Sequence, residues 1–432
     1  MKRLTSVLLG SVIAAAFLGP GTVTTAARAG AAHAYELLWT LVFATVACAV
    51  LQEAGARLTV VSGHNLGEAL RRRFAGGWRG ALVLGLAAGA ILGGCAAYEA
   101  GNILGGVAGA ELTLAISRRV LTLLCVAAAG ALLWLGGTRA VIAVMALLVA
   151  VMGGAFLATA FVLRPELPAL AAGLVVPRVP AGSTVLVLGL IGTTVVPYNL
   201  FLGSGIARGQ ELGLMRFGLA VAIGLGGLIS MAVVVVGHAA TGGFSYEALA
   251  ATLAGRLGGW ARGLFSLGLF AAGFSSAITA PLAAAVTARS LFAAGAGDAR
   301  WADASWRYRG VWLGVLAVGA AFGLADVRPI PVIVLAQALN GVLLPIAAVF
   351  LLLAVNDREL VGGAVNGAAS NAVATLAVAV TVLLGVRSLA HAAGTASGAQ
   401  LPEVWVLAAS AAVVAALALP VARGVRRLRR PT

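Results

Sequence analysis

The chain predicts an all-α integral membrane protein of about 12 transmembrane helices, and three observations carry that class. Of its 432 residues 61% are hydrophobic and only 10% charged, with a mean hydropathy of +1.04. Its apolar runs repeatedly reach the roughly 20 residues needed to cross a bilayer. Two of them, Phe17-Leu18-Gly19-Pro20-Gly21-Thr22-Val23-Thr24-Thr25 and Gly192-Thr193-Thr194-Val195-Val196-Pro197-Tyr198-Asn199, are broken by proline beside glycine or threonine. Proline removes a backbone donor and glycine permits non-helical geometry, so both runs should unwind at membrane depth, where freed backbone groups must meet something polar. Paired interruptions of this kind mark the substrate site of a secondary transporter.

Taken in order, the spans centre near Ala14, Phe43, Gly89, Ala128, Ala150, Ile191, Leu228, Phe270, Val318, Leu343, Val378 and Val413. Met1-Lys2-Arg3 before the first run also has the form of a secretory signal. The Gly19-Pro20-Gly21 break and its counterpart at Pro197 favour a retained first helix instead. An even number of spans puts both termini on one side. The Arg71-Arg72-Arg73 cluster and the basic stretch from Arg423 to Arg430 assign that side to the cytoplasm of a multi-pass cell-membrane protein. Between spans, 68–74 should form a surface helix, and 242–259 is amphipathic enough to lie on the membrane face. Residues 164–183, with Pro165, Pro168, Pro177 and Pro180, and residues 293–309 are the other long polar stretches. Five spans precede the second break and five are counted from it. The whole of 1–432 is therefore one transporter domain with a 5+5 inverted repeat: 1–163 holds helices one to five, 183–357 helices six to ten, and 368–422 two peripheral helices.

Charge and motif exclude other classes. The formal net charge of +15 is dispersed at the ends of apolar runs, where it meets lipid headgroups, so no nucleic-acid partner is expected. Cys48, Cys95 and Cys125 sit singly inside apolar runs and read as small core residues. There is no Walker loop, no HExxH pair and no nucleophile elbow, so neither an enzyme nor an ATP-driven pump is indicated and no cofactor is called for; Gly101 to Gly109 is small-residue helix packing. The expected partners are membrane lipid and a small ion or solute, with the chain acting as a monomer.

Ionisable groups inside spans are functional candidates because they are costly there. Glu99 stands in the middle of the third span, with Asn102 three residues on; a proton or substrate role competes with that of a protonated carboxyl bonded between packed helices. Arg28, two turns past the first break, can pair with Glu99, receive an anionic group or snorkel outward. Near a dication it would repel by roughly 4 kcal/mol at 4 Å and an effective dielectric of 20. Glu53 and Arg57 stand four apart and should pair as a latch or gate. Gln337 and Asn340, at i and i+3 on helix ten, can both face the core, for substrate contact or interhelical bonding. The hydroxyls of Thr22, Thr24, Thr25, Thr193 and Thr194 serve either a ligand or the unwound backbone. His33, His64, His238 and His391 lack ligand spacing.

These residues resemble the Nramp family of divalent-metal transporters. Gly19-Pro20-Gly21-Thr22 through Ala29-Gly30-Ala31 to Leu37-Leu38-Trp39 is similar to that family's first helix, where a DPGN motif precedes AGA. Leu51-Gln52-Glu53, Ala56-Arg57-Leu58 and Val61-Ser62-Gly63 resemble its second helix, Pro197-Tyr198-Asn199-Leu200-Phe201-Leu202 its sixth-helix MPHNL stretch, and Ser275-Ser276 with Thr279 its eighth. Ala336-Gln337-Ala338-Leu339-Asn340-Gly341, Leu344-Pro345, Asn356-Asp357 and 362–366 resemble its tenth helix and following loop. The resemblance covers nearly the whole chain and implies a LeuT-type fold with broken helices 1 and 6.

The departures fall on the metal ligands that the resemblance implies. Gly19 stands for the family's Asp, Thr22 for its Asn, Thr193 for the alanine offering a carbonyl, Val196 for its Met and Tyr198 for its proton-linked His; Ala96 replaces an upstream Asp of the third helix, where Glu99 resembles an acidic residue of the proton route. A bare transition dication needs carboxylate, imidazole or sulfur ligands to replace its water. Magnesium usually keeps several waters, so a site of hydroxyls and amides suits a hydrated ion better. The expectation is a secondary-active carrier moving a cation, hydrated Mg2+ or another divalent ion, by alternating access. The alternatives are an Nramp-derived carrier of a small organic solute and a transport-dead membrane partner or sensor.

Overall fold

The first apolar run emerges as two helices, α1 (Lys2–Phe17) and α2 (Pro20–His33), that meet at 64° in the computed structural model, which describes residues 2–74, 76–240, 244–295, 297–325, 327–397 and 402–429. Pro20 takes the first helical position, where its missing N–H costs nothing, and Gly19 before it is extended. Next come α3 (Leu38–Ser62), the surface helix α4 (Leu66–Arg73), α5 (Gly77–Glu111), α6 (Arg118–Leu135) and α7 (Thr138–Val162). α4 starts on a reciprocal cap: Asn65 Oδ1 accepts from the Glu68 amide at 3.0 Å, and the Glu68 carboxylate accepts from the Asn65 amide at 3.1 Å. The proline-rich stretch that follows holds a short helix the sequence did not announce, α8 (Leu167–Val175), with Pro168 in its first turn.

The second half opens with α9 (Thr184–Thr194) and α10 (Pro197–Ile206), separated only by Val195 and Val196. The chain continues through α11 (Leu212–His238), the amphipathic α12 (Tyr246–Leu257), α13 (Gly259–Phe292), α14 (Trp306–Leu324) and α15 (Pro329–Ala354). The short α16 (Arg358–Val361) leads to α17 (Ala368–Ser397) and α18 (Glu403–Leu428).

All twelve expected centres fall inside helices, but fewer elements qualify as spans by length and composition. Among the described residues nine do, or ten with the bent α1–α2 pair taken as one. The shortfall lies in α14, 19 residues with Arg307 and Arg309 in its first turn, and in α15, which counts only through Leu343–Ala354. The two breaks also differ. α1 and α2 are sharply bent, whereas α9 and α10 together still form one apolar span, 184–206.

Small residues set the packing. A Cβ on Gly109 would meet the Phe270 amide nitrogen at 2.6 Å, and one on Gly106 would touch the Gly273 backbone at 3.3 Å, so α5 and α13 lie backbone to backbone. α11 receives both halves of the bent helix: Gly218 lies on Ser6, Gly226 on the Phe17 ring, and Gly237 on Ala27. Val12 to Leu18 are almost fully enclosed, so α1 is part of the core. α18 is peripheral, with Val404, Trp405 and Leu419 largely exposed.

Candidate binding site at the helix breaks

The end of α1 leaves carbonyls without helical donors, since Pro20 has no N–H and Gly19 lies outside helical geometry. Each is taken by a side chain. Ser276 Oγ of α13 donates to the Ala15 carbonyl at 3.2 Å, the Tyr198 hydroxyl of α10 donates to Ala16 at 2.9 Å, and Thr22 Oγ1 donates to Phe17. Asn199 Nδ2 adds a bond to the Ile13 carbonyl at 3.1 Å. Sequence reasoning expected these groups to face something polar; what they meet is a ring of hydroxyls and an amide from α2, the second break and α13. Tyr198 is thereby a backbone cap, and its ring lies edge-on to Tyr98 with centroids 5.5 Å apart.

Around this junction sit the remaining candidates. Gly19 is closely covered: an added Cβ would lie 2.7 Å from Ser276 Oγ and 3.5 Å from Asn102 Oδ1. Asn102 Nδ2 in turn donates to Glu99 Oε2 at 3.4 Å. Glu99 is fully buried, and its Oε1 has no partner among the described residues. It also abuts Gly319 of α14, where an added Cβ would lie 2.8 Å from the Glu99 Cγ. The Gln337 amide of α15 presses against Gly21; its Oε1 and Asn199 Oδ1 likewise have no donor among the described residues. Gly19, Thr22, Tyr198 and Gln337 are thus brought together, with Glu99 attached through Asn102. Val196 is buried at the second break. Thr193 and Thr194 hydroxyls bond back to the Leu190 carbonyl at 3.1 and 3.0 Å, so they serve their own helix. Asn340 lies within α15, but its side chain is outside the described residues.

Two corrections follow for Arg28. It is exposed, on the side of α2 opposite the Gly30 surface that meets α11, so it does not pair with Glu99 and does not face the junction. Its exposure suits snorkelling. Just past the break, Thr24 Oγ1 of α2 and the Tyr246 hydroxyl of α12 lie 2.5 Å apart. Burial pushes that phenol above its ordinary range, partly offset by the Thr24 bond. Nothing in the sequence but the amphipathic stretch pointed to this contact.

At the end of the bundle carrying the termini, Glu53 accepts from Arg57 Nε at 3.1 Å and from Arg216 Nε at 2.9 Å. Arg57 also donates to the Ala364 carbonyl and to Asn366 Oδ1. Asn366 Nδ2 donates to Asn371 Oδ1 at 3.0 Å, Asn371 Nδ2 to Asn356 Oδ1 at 3.0 Å, and Arg429 Nε to Asn356 Oδ1 at 2.8 Å. Beside it, Arg208 reaches Glu68 at 2.5 Å. The expected Glu53–Arg57 pair is the centre of a network that reaches the last described residue; the i, i+4 spacing announced the pair, but nothing announced Arg216 or the asparagines.

Among the described residues no group of three His, Cys, Asp or Glu is placed to hold a metal ion. The junction instead offers carbonyls, hydroxyls, amide oxygens and one carboxylate a residue away.

A bundle of apolar helices with two interrupted members meeting at a buried polar junction defines the transporter class of LeuT-like fold. The chain belongs to the Nramp family: the family model described as natural resistance-associated macrophage protein-like matches residues 10–391. Among similar curated proteins is the divalent metal cation transporter MntH of Verminephrobacter eiseniae, 29% identical over 377 residues, covering 82% of each chain. The MntH of Pectobacterium carotovorum is 27% identical over 383 residues, 83% of this chain and 88% of that protein. Among solved structures, the Eremococcus coleocola manganese transporter in complex with an aromatic bis-isothiourea substituted compound superposes with a TM-score of 0.77 at 20% identity over 99% of this chain and 95% of that one. A nucleobase-cation-symport-1 family transporter gives 0.56 at 15% identity over 98% and 92%, which extends the likeness in fold.

Proposed function

We propose that this chain is a secondary-active carrier of a divalent metal ion, taken with part of its water shell, that works by alternating access around the two helix breaks with both termini in the cytoplasm. The observation that carries the proposal is the polarity of what is left unpaired. Three buried oxygens around the junction, on Glu99, Asn199 and Gln337, have no donor among the described residues, and Arg28 points away. Such a set favours a cation, or the hydrogens of water bound to one, over an anion. The relatives named as divalent metal transporters support the ion class.

A partly hydrated ion suits the distances. Glu99 reaches the Gly19 position only through Asn102, and a bound water spans such gaps at little cost. Magnesium, which dehydrates reluctantly, fits best; a bare transition ion would need ligands that Gly19 and Val196 do not supply. Glu99 supplies the negative charge and a position for a proton, while Gln337 and Thr22 orient the shell.

The test is flux into liposomes loaded with magnesium, manganese and pH reporters. Saturable magnesium uptake, cut at least tenfold by Glu99→Gln with the protein still folded, is the expected result. Manganese flux without magnesium flux would overturn the hydrated-ion assignment, and silence with both ions would overturn the metal carrier itself.

A further inference from the structure

Near the Glu53 network the surface opens into a groove of about 570 Å3 between α3, α11 and the start of α17. Its walls are apolar, with Val50 on one side and Leu219 and Ala220 on the other, while Glu53, Arg57 and Arg216 line its polar part. The charges sum to +1. The two arginines differ in freedom. Arg57 is enclosed, and its Nε, NH1 and NH2 are all engaged. Arg216 is half-exposed, and the bonds it makes, at 2.9 and 2.8 Å to Glu53 Oε1, use its Nε and NH2 edge. A guanidinium carries five N–H donors in a planar fork suited to phosphate, so this edge contact leaves donors for a second anion. Next to Arg216 on α11, Phe217 has the guanidinium of Arg3 5.5 Å from its ring centroid, which adds a cation at this end of the bundle.

We propose that this groove is a binding site for an anionic phospholipid, with its headgroup phosphate on Arg216 and an acyl chain between α3 and α11. Three features select a lipid over a soluble anion. The groove lies between spanning helices; its walls are mostly apolar; and Val46, one turn along α3 from Val50, is half-exposed on the same apolar helix. Basic pockets between spanning helices at the cytoplasmic side are suited to such headgroups. The site is separate from the junction at Gly19 and does not depend on which cargo the junction takes. It touches the network that ties α3 to α11 and to the 364–366 turn, because a phosphate on Arg216 shares the guanidinium that Glu53 holds. Bound lipid therefore adjusts how firmly α11 is held to α3.

The experiment is native mass spectrometry and thermal unfolding of the whole chain in nanodiscs and detergent, with phosphatidylglycerol, phosphatidylcholine and inorganic phosphate as probes. Phosphatidylglycerol should be retained at least fivefold over phosphatidylcholine and should raise the unfolding midpoint, with no rise from inorganic phosphate. Arg216→Gln should remove the preference. Ala220→Trp, which fills the groove and leaves every charge in place, should reduce retention of both lipids at this site. Equal retention of the two lipids, unchanged preference in Arg216→Gln, or stabilisation by inorganic phosphate equal to that by lipid would each overturn the proposal. If Arg216→Gln fails to fold, unaltered retention in Ala220→Trp overturns it alone.

Discussion

Tyr198 illustrates what individual residues do at the junction. Its hydroxyl closes the Ala16 carbonyl, which no backbone group can reach because Pro20 follows four residues on. Tyr198→Phe should leave a buried acceptor unpaired and cost about 1–3 kcal/mol, read as a drop in the unfolding midpoint of the purified protein. Thr193→Val is the matched control. Its hydroxyl only bonds back within its own helix, so the loss should stay below about 1 kcal/mol. The same geometry explains why Gly19 is not simply a missing carboxylate. Ser276 fills the space beside it, so Gly19→Asp alone should destabilise the fold, and pairing it with Ser276→Gly should recover only part of the midpoint, because the Ala15 carbonyl then loses its donor. The sequence showed Gly19 and Tyr198 as departures from a family pattern, but it could not show that Ser276 and Asn102 lie against Gly19. Side chains from α5 and α13 reach that point only through long-range packing, which has no local spacing to betray it.

Among elements, α11 holds both halves of the bent helix, which rest on it through close glycine contacts. Substitutions at two of its glycines should separate cleanly. Gly237→Val drives side-chain atoms into Ala27 of α2, and overpacking of this kind costs about 1–3 kcal/mol. Gly224→Ala faces open space and should be neutral or stabilising by up to about 1 kcal/mol, since alanine favours the helix. Thermal unfolding of the two variants side by side decides it: equal effects would mean that the α2–α11 contact is not tight. Helix positions were legible from hydropathy because a span needs only length and apolarity. The unequal breaks were less so. Both contain proline, yet only the first bends sharply, where Gly19 precedes Pro20; Val195 and Val196 are β-branched and keep the second segment extended over two residues without a large change of direction. α8 was missed because four prolines in twenty residues read as loop, although Pro168 sits where a helix tolerates one.

Across the whole molecule, the polar network at the terminal end joins α3, α11, the turn before α17 and the chain's last described residue. Removing the chain after Leu428 takes away Arg429 and its bonds to Asn356 and the Asn366 carbonyl. Hydrogen exchange in 355–367 should then speed up at least severalfold while exchange in α5 and α13 stays unchanged; unaltered exchange in that turn would show that Arg429 is not what holds it. Elsewhere α2 is held by neutral contacts, the hydroxyl pair of Thr24 and Tyr246 and the bare backbone contact of Gly237 on Ala27. One set of contacts is thus ionic and the other neutral. Dissolved salt weakens the first and leaves the second almost untouched. Ionic strength therefore acts unevenly on the molecule: concentrated electrolyte loosens the tie among α3, α11 and the 364–366 turn while leaving α2 in place, and thiol labelling at the two places would register the difference.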